Sequence, residues 1–542
     1  MATETEIQSD GQWVFEKGFQ NNPETPEPIE LQVKGTIPKW AEGVLHRNGP
    51  GTFEIPIEKN RCMFKIHHWF DGLAQVHRFE IRDGKVTYRS RNISKVSDII
   101  TFGQDPCESL FHKFSTSFQV ITGAKGISQN TDANTNANTN VTLTRELPLP
   151  ENQRALMSAK THRQLVAQTD ANILKTLDPI TIEPIKVFNF SEYDPRLNGE
   201  MSPAHPQYDA STGEYISFTQ KNGPKTKYTI FSIREDPETR KPITKILYKI
   251  KASRSVYVHS FSLTKKYVIL ILWQCDLAWK GLKVVWNKNL LQSFKPWNHN
   301  ESTYYYVIDR DKQNHVATFI SPTYFCFHTL NAWDENDDII LDLVQHKDHS
   351  PVEDLALPAL LGQIKTNETL ALKGRLTRYR LAKVSENLWS VAAGEDAKKL
   401  PSAETLFQAP LELNTELTTI DYSRFHLKKH RFAYGANMSA RPDARFFDTI
   451  LKLDLDQNPD GSFSHKKWEQ WSCTPSEPIF IPAPNAVEED DGVVLSVVLD
   501  GTKGTSFLLV LDAKSFKEIA RAEFEYGKVV PYGFHGVWKD EI

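Results

Sequence analysis

Apolar positions along this chain fall in short runs, each bounded by polar, turn-forming clusters. Val256-Tyr257-Val258, Tyr267 to Trp273, Tyr304 to Asp309, Ile339 to Val344 and Val493 to Leu499 are examples. Runs of about four to eight such residues, rich in β-branched and aromatic side chains, predict strands. The pattern is clearest from Tyr324 to His346: an aromatic run ends on His328, a polar turn spans Asp334 to Asp338, and a strand pattern follows from Ile339. At ~150 residues per domain the length of 542 residues would suggest three or four domains. No Gly/Ser- or Pro-rich linker and no charge block divides the chain, however. The prediction is therefore one large all-β body. A propeller is the β architecture that fits such a length as one unit, with divergent blades because no strict repeat is visible.

In order along the chain, residues 1–34 are polar and Pro/Glu-rich and read as an extended N-terminal strap, with a single propeller body over 35–542. Asp71-Gly72, between strand-like runs, predicts a hairpin. Residues 105–122 place Leu110, Phe111, Phe114, Phe118 and Val120 near helical spacing, either a core helix or one lying in a membrane interface. Thr131 to Asn140 is low-complexity and polar, a disordered loop when read in isolation. Residues 165–186 run strand–turn–strand through Asp178-Pro179. Residues 274–300 interleave Trp279, Leu282, Val285, Trp286, Leu290 and Leu291 with lysines, which suits either an anionic membrane surface or a solvated helix face. Glu488 to Gly492 reads as a solvated turn.

A net charge of −4, from 64 basic and 68 acidic residues, gives no basic field for nucleic acid. No apolar run reaches the ~18 residues of a membrane span, and the first residues carry no secretory signal. Five cysteines, scattered and without a CxxC pair, fit a reducing cytosol and argue against a cysteine zinc framework. Asn92 and Asn367 head Asn-x-Ser/Thr matches that are read as chance.

The candidate chemistry lies in the 17 histidines. The pairs His346/His349 and His426/His430 sit among lysines and predict surface positions. His67 and His68 point to opposite faces of a strand. Four others share another context: His205, His259, His328 and His535 each lie at a strand end or turn, beside small or aromatic residues and away from charge. A ring of strands converging on one axis would bring them together. All-imidazole ligation suits a borderline divalent metal, and an octahedral ion bound by four nitrogens keeps two positions open. Iron(II) is the redox-competent choice, whereas zinc is more often tetrahedral. Metal-bound imidazoles generally give their other N–H to an acceptor. Glu416, Glu477 and Asp170, acids in apolar settings, are candidates, though spacing alone leaves them equally well as surface acids.

Arg47-Asn48-Gly49-Pro50, His68-Trp69-Phe70-Asp71-Gly72, Val258-His259-Ser260, Ser476-Glu477-Pro478-Ile479-Phe480, Glu489-Asp490-Asp491-Gly492 and Gly533-Phe534-His535-Gly536 occur in this order. Together they resemble the carotenoid cleavage oxygenase family, over nearly the whole chain from about residue 35. The resemblance implies a seven-bladed β-propeller with a helical cap over an axial Fe(II) held by His205, His259, His328 and His535. It implies partner glutamates matching Glu416 and Glu477, with a third family glutamate falling on the shorter Asp170. Asp105-Pro106-Cys107 resembles the start of a membrane-dipping helix, and Thr131 to Val141 a family segment with added residues. The implied activity is oxidative cleavage of a carbon–carbon double bond in a carotenoid or apocarotenoid by O2, giving two carbonyl products, with no side-chain acid or base. The protein would be cytoplasmic and peripheral to a membrane. Stilbenoid cleavage, retinoid isomerisation and a non-catalytic lipid-binding propeller are the alternatives.

Overall fold

The computed structural model describes residues 14–57, 62–94, 137–154, 164–283, 290–363, 372–441, 444 and 446–540. Five antiparallel sheets of four strands follow one another along the chain. They run from Thr142–Thr144 to Pro184–Phe188, from Gln207–Asp209 to Pro242–Ala252, from Ser262–Leu263 to Asn314–Pro322, from Phe325–Glu335 to Glu404–Gln408, and from Glu416–Thr419 to His465–Glu469. In each sheet the spatial order repeats the sequence order, so short loops suffice. A ten-stranded sheet holds both ends of the described chain. Its strand Thr25–Gly35 pairs with Lys85–Asn92 through Leu31 and with Glu518–Glu523 from Gln32 onward. The last strand, His535–Lys539, lies against Gly43–Thr52. Late and early segments are thereby joined, and the sheets form a β-propeller.

The first strands of successive sheets touch in a circuit. Thr142 Oγ1 donates to Ala204 O (2.5 Å), the His205 amide to His259 O (3.2 Å), and Ser260 Oγ to Phe327 O (2.7 Å). Thr419 Oγ1 then donates to Pro478 O (2.7 Å), and the Gly536 amide to Glu477 Oε2 (2.7 Å). The Phe534 amide donates to Asn48 O, and Asn48 Nδ2 returns to Thr139 O, both at 2.8 Å. Outside this circuit the middle strands of the sheets are the most fully covered, while outer strands such as His465–Glu469 stay largely exposed. Val268 to Leu272 are each at most 1% exposed, as a continuous apolar run implies. Each such side chain contributes roughly 1.5–3 kcal/mol by burial.

Several local expectations change. The hairpin does not form at Asp71-Gly72, where a 3-10 turn, Trp69–Asp71, leads into the strand Leu73–Arg82. It forms at Asp83-Gly84, whose φ angles of 51° and 72° give the left-handed pair that a two-residue hairpin requires. Val256 makes only an isolated bridge to Asp276, so Val256-Tyr257-Val258 is no sheet strand. The polar residues Asn138 and Asn140 are buried, because their side-chain amides cap backbone carbonyls: Asn140 Nδ2 reaches Phe70 O (2.8 Å) and Gly72 O (2.9 Å). Asp490 is buried against Lys452 Nζ at 2.6 Å, so the Glu488 to Gly492 run is tied down and not freely solvated. Of the described part of the N-terminal strap, Glu16–Phe19 form a 3-10 turn with Phe19 buried, and the strand Thr25–Gly35 follows. The segments 105–122, 131–136 and 284–289 lie outside the described residues, and with them Leu110, Phe111, Phe114, Phe118, Val285 and Trp286.

Candidate metal centre

Each of the four singled-out histidines stands where a strand of the central circuit begins or bends. His205 precedes Gln207–Asp209, His259 precedes Ser262–Leu263, His328 lies in Phe325–Glu335, and His535 opens the closing strand His535–Lys539. Their ligand atoms all lie within 4.8 Å of one another. His328 faces the same cavity as its neighbour Phe327, which a regular strand would forbid. The register with Asp338–His346 shifts between Cys326 and Thr329, and this bulge turns both side chains inward.

Behind three of the imidazoles stands a carboxylate. His259 Nδ1 donates to Asp170 Oδ1 (2.8 Å), His328 Nδ1 to Glu416 Oε2 (2.5 Å), and His535 Nδ1 to Glu477 Oε1 (2.8 Å). These bonds fix each ring with Nδ1 protonated and the Nε2 lone pair free. In every case the second oxygen is also engaged: Tyr257 OH donates to Asp170 Oδ2 (2.9 Å), His346 Nε2 to Glu416 Oε1 (2.6 Å), and the Gly536 amide to Glu477 Oε2 (2.7 Å). Glu416 is aimed by a second irregularity. The register shifts between Glu416 and Thr419, and Leu417 takes a left-handed φ of 51°. Such backbone strain in a non-glycine residue costs of order 1–3 kcal/mol and clusters at functional sites.

Burial lowers the His205 pKa well below its ordinary value, and the facing His535, His259 and His328 push it the same way. Burial also lowers His535, against the pull of Glu477. Burial opposes the charge on Glu416, yet His328 and His346 hold its carboxyl below the usual range. Burial thus favours neutral rings at His205 and His535, while Glu416 is held as an anion. The Nε2 atoms of His205 and His328 are buried without a hydrogen-bond partner, a state that costs roughly 1–3 kcal/mol per group. Four convergent nitrogen lone pairs with no donor among them are a donor set for a cation. The residues present therefore fit a divalent metal ion.

The cluster opens on a cavity that His259, His328 and His535 help to line. Its walls are mostly apolar, with Trp69, Phe70, Phe327, Phe447, Phe534 and Leu355 among them. The polar side chains lining it are His259, His328, His535, His346 and Glu416, already engaged with one another or with the carboxylates.

A family profile described as RPE65, retinal pigment epithelial membrane protein, matches residues 18–540. The chain belongs to the RPE65 family. Among its relatives, a carotenoid dioxygenase of Neurospora crassa is 32% identical, across 97% of this chain and 90% of that one. A torulene dioxygenase of Gibberella fujikuroi is 30% identical over 97% and 93%, and a human beta,beta-carotene 15,15'-dioxygenase is 29% identical over 93% and 91%. The fold is similar to that of Synechocystis apocarotenoid oxygenase in its cobalt-substituted form, with a TM-score of 0.69, 20% identity and coverage of 97% and 98%.

Two residues of this RPE65-family site were not foreseen in the sequence. His346 was expected at the surface because of its lysine-rich surroundings and apparent helical spacing. It ends the strand Asp338–His346, so Lys347 points outward while His346 is 2% exposed. Gly374 makes room for it: a Cβ there would come within 3.0 Å of the imidazole. Tyr257, fully buried, is the other. Its signal was present in the sequence, since it lies two residues before His259 and so on the same face of an extended segment. His430, also expected at the surface, is buried 3.3 Å from Asp342, and His426 and His349 are half-buried. His67 and His68 do diverge, with His68 buried on Val352 O at 2.7 Å. Among the described residues, no helix is long and apolar enough to cross a membrane.

Proposed function

We propose that this chain is an iron(II)-dependent dioxygenase that cleaves a double bond of a carotenoid or apocarotenoid. The observation that carries the reading is the four-histidine cluster at the end of an apolar cavity, in a chain whose relatives are named for carotenoid, torulene and beta-carotene oxygenation. The net reaction adds O2 across the alkene: the carbon–carbon bond breaks and each carbon leaves as an aldehyde carbonyl. His205, His259, His328 and His535 hold the metal, and Glu416, Glu477 and Asp170 orient three of those rings. Bound iron(II) supplies the redox chemistry that lets O2 react with an alkene. The chain's own part is positional. Trp69, Phe70, Phe327 and Phe534 exclude water and hold the polyene beside the imidazoles. No proton is taken or given by a side chain.

The ten-stranded sheet counts as two blades sharing the strand Thr25–Gly35, which with the five four-stranded sheets makes seven; the same number of stations appears in the hydrogen-bonded central circuit. The short helices Ser350–Asp354 and Leu357–Leu360, with Leu355 on the cavity wall, belong to its cap.

A polyene is drawn from a bilayer, and the exposed pair Trp279 (62%) and Leu282 (64%) supports a peripheral docking site, flanked by Lys280 and Lys283. Trp279 and Lys280 both adopt left-handed backbone, an unusual cost for presenting an indole to solvent. Leu290 and Leu291, expected in the same patch, are instead buried and partly buried against the core. The deciding experiment incubates the iron-loaded protein with a carotenoid, an apocarotenal, a stilbene and a retinyl ester, under air and without it, and weighs the products. Two aldehydes from a polyene, formed only with O2, are expected. Retinol as the product of the retinyl ester, with or without air, would favour the isomerohydrolase reading instead.

A further inference from the structure

The three carboxylates are not equivalent. Glu416 and Glu477 have one more methylene than Asp170, yet Asp170 Oδ1 reaches His259 Nδ1 directly, at 2.8 Å. What distinguishes this corner is Tyr257. Its hydroxyl lies 2.9 Å from Asp170 Oδ2 and 3.1 Å from His259 Nδ1, so phenol, carboxylate and imidazole close a triangle. The other three histidines have Pro203, Cys326 and Gly533 two residues upstream. Tyrosine appears at that offset only beside the shortened carboxylate. The phenol is itself fixed: the Tyr257 amide donates to Cys275 O (2.9 Å), and Tyr257 O accepts from Trp273 Nε1 (3.0 Å). Its ring packs at 6.2 Å from Phe294.

We propose that Tyr257 is a positioning residue, which clamps Asp170 so that the short carboxylate orients His259 as the glutamates orient His328 and His535. This rests on the four-histidine metal reading above. A free aspartate carboxylate would rotate about its last bond; the phenol occupies Oδ2 and leaves Oδ1 aimed at the ring. The clamp acts on metal binding, so activity need not be measured.

The test is a double-mutant cycle read by Co(II) titration of the metal-free protein, following the visible absorption of the bound ion. Tyr257→Phe keeps the ring and removes only the hydroxyl. It should weaken Co(II) binding about tenfold, the low end of the range for losing an outer partner, and alter the absorption band. Asp170→Ala should weaken it further, and adding Tyr257→Phe to Asp170→Ala should then change nothing, because the clamp has nothing left to hold. An affinity within twofold of the parent in Tyr257→Phe would overturn the clamp while leaving the metal reading intact. So would an equal loss from Tyr257→Phe in both backgrounds, which would mark the hydroxyl as independent of Asp170. A parent protein that takes up neither Co(II) nor Fe(II) would overturn the metal reading and the clamp with it.

Discussion

His328 and His205 face each other with ring centroids 4.9 Å apart, and they are held in opposite ways. Behind His328 stands a charged relay, in which Glu416 accepts from His328 on one oxygen and from His346 on the other. Among the described residues, no such carboxylate stands behind His205. Its ring is placed by backbone: the His205 amide donates to His259 O, a parallel bridge joins it to Ser260, and the following Pro206 confines it to extended geometry. One corner is set by charge and hydrogen bonding, the other by chain path. Side chains around the His328 corner should therefore be sensitive to isosteric loss of charge, whereas the His205 corner, among the described residues, has no charged partner to lose.

The largest effect expected is common to both corners. His205→Ala and His328→Ala should each remove most of the bound iron, beyond the roughly 100-fold limit typical of an outer partner, while far-UV circular dichroism stays that of the parent. Metal analysis showing a full iron complement in either variant would end the assignment. Glu416→Gln separates the two corners. It should cost about 10–100-fold in iron affinity or turnover, measured by chelator competition. If Glu416→Gln and Glu477→Gln both bind iron and turn over like the parent, the charged relay is decorative. His346→Leu should be milder. It leaves one Glu416 oxygen without its imidazole donor, worth roughly 1–3 kcal/mol, and should appear as a lower urea midpoint with iron still bound.

An effect that vanishes at neutral pH, and is smallest there, concerns imidazoles whose burial opposes any charge. Burial pulls His46 and His77 down to about 3, and His68 and His430 to about 4. Because these folded values lie below the ordinary 6.5, the unfolded chain takes up protons first as pH falls. Their contribution to stability is complete above about pH 6.5 and declines toward the folded values, by ~1.4 kcal/mol per pH unit for each histidine. Urea midpoints at pH 7.5, 6 and 5 should fall in that order. A flat profile would show that these rings are protonated inside the fold.

Much of the architecture could be read from short apolar runs alone. Ile339 to Val344 lies within Asp338–His346, and Val493 to Leu499 within Gly492–Asp500. The four histidines stood out because apolar surroundings imply that an imidazole must find a partner. His346 was hidden by the opposite cue. Lys347 beside it suggested a surface, but along a strand neighbouring side chains take opposite faces, so a lysine says nothing about the residue before it. Tyr257 was overlooked because its partner, Asp170, is distant in sequence and only the closed circuit brings them together. The inward turn of His328 rests on a bulge, and bulges depend on cross-strand register, which a one-dimensional pattern does not contain. Leu290 and Trp279 illustrate the same limit: both are apolar residues in a basic stretch, yet one is buried and the other 62% exposed.

The closing strand has a consequence for biosynthesis. His535 lies on His535–Lys539, the strand that meets Gly43–Thr52 and joins the end of the described chain to its beginning. As the polypeptide leaves the ribosome, His205, His259 and His328 emerge long before their fourth companion. A nascent chain thus offers an incomplete set of nitrogens, and the complete set exists only after synthesis has passed residue 535 and the last strand has docked. On the metal reading proposed above, ion capture and ring closure would be one event. A bound ion would report that the whole chain has been made and folded, and a chain cut short before Gly533 would lose its seam and its metal together.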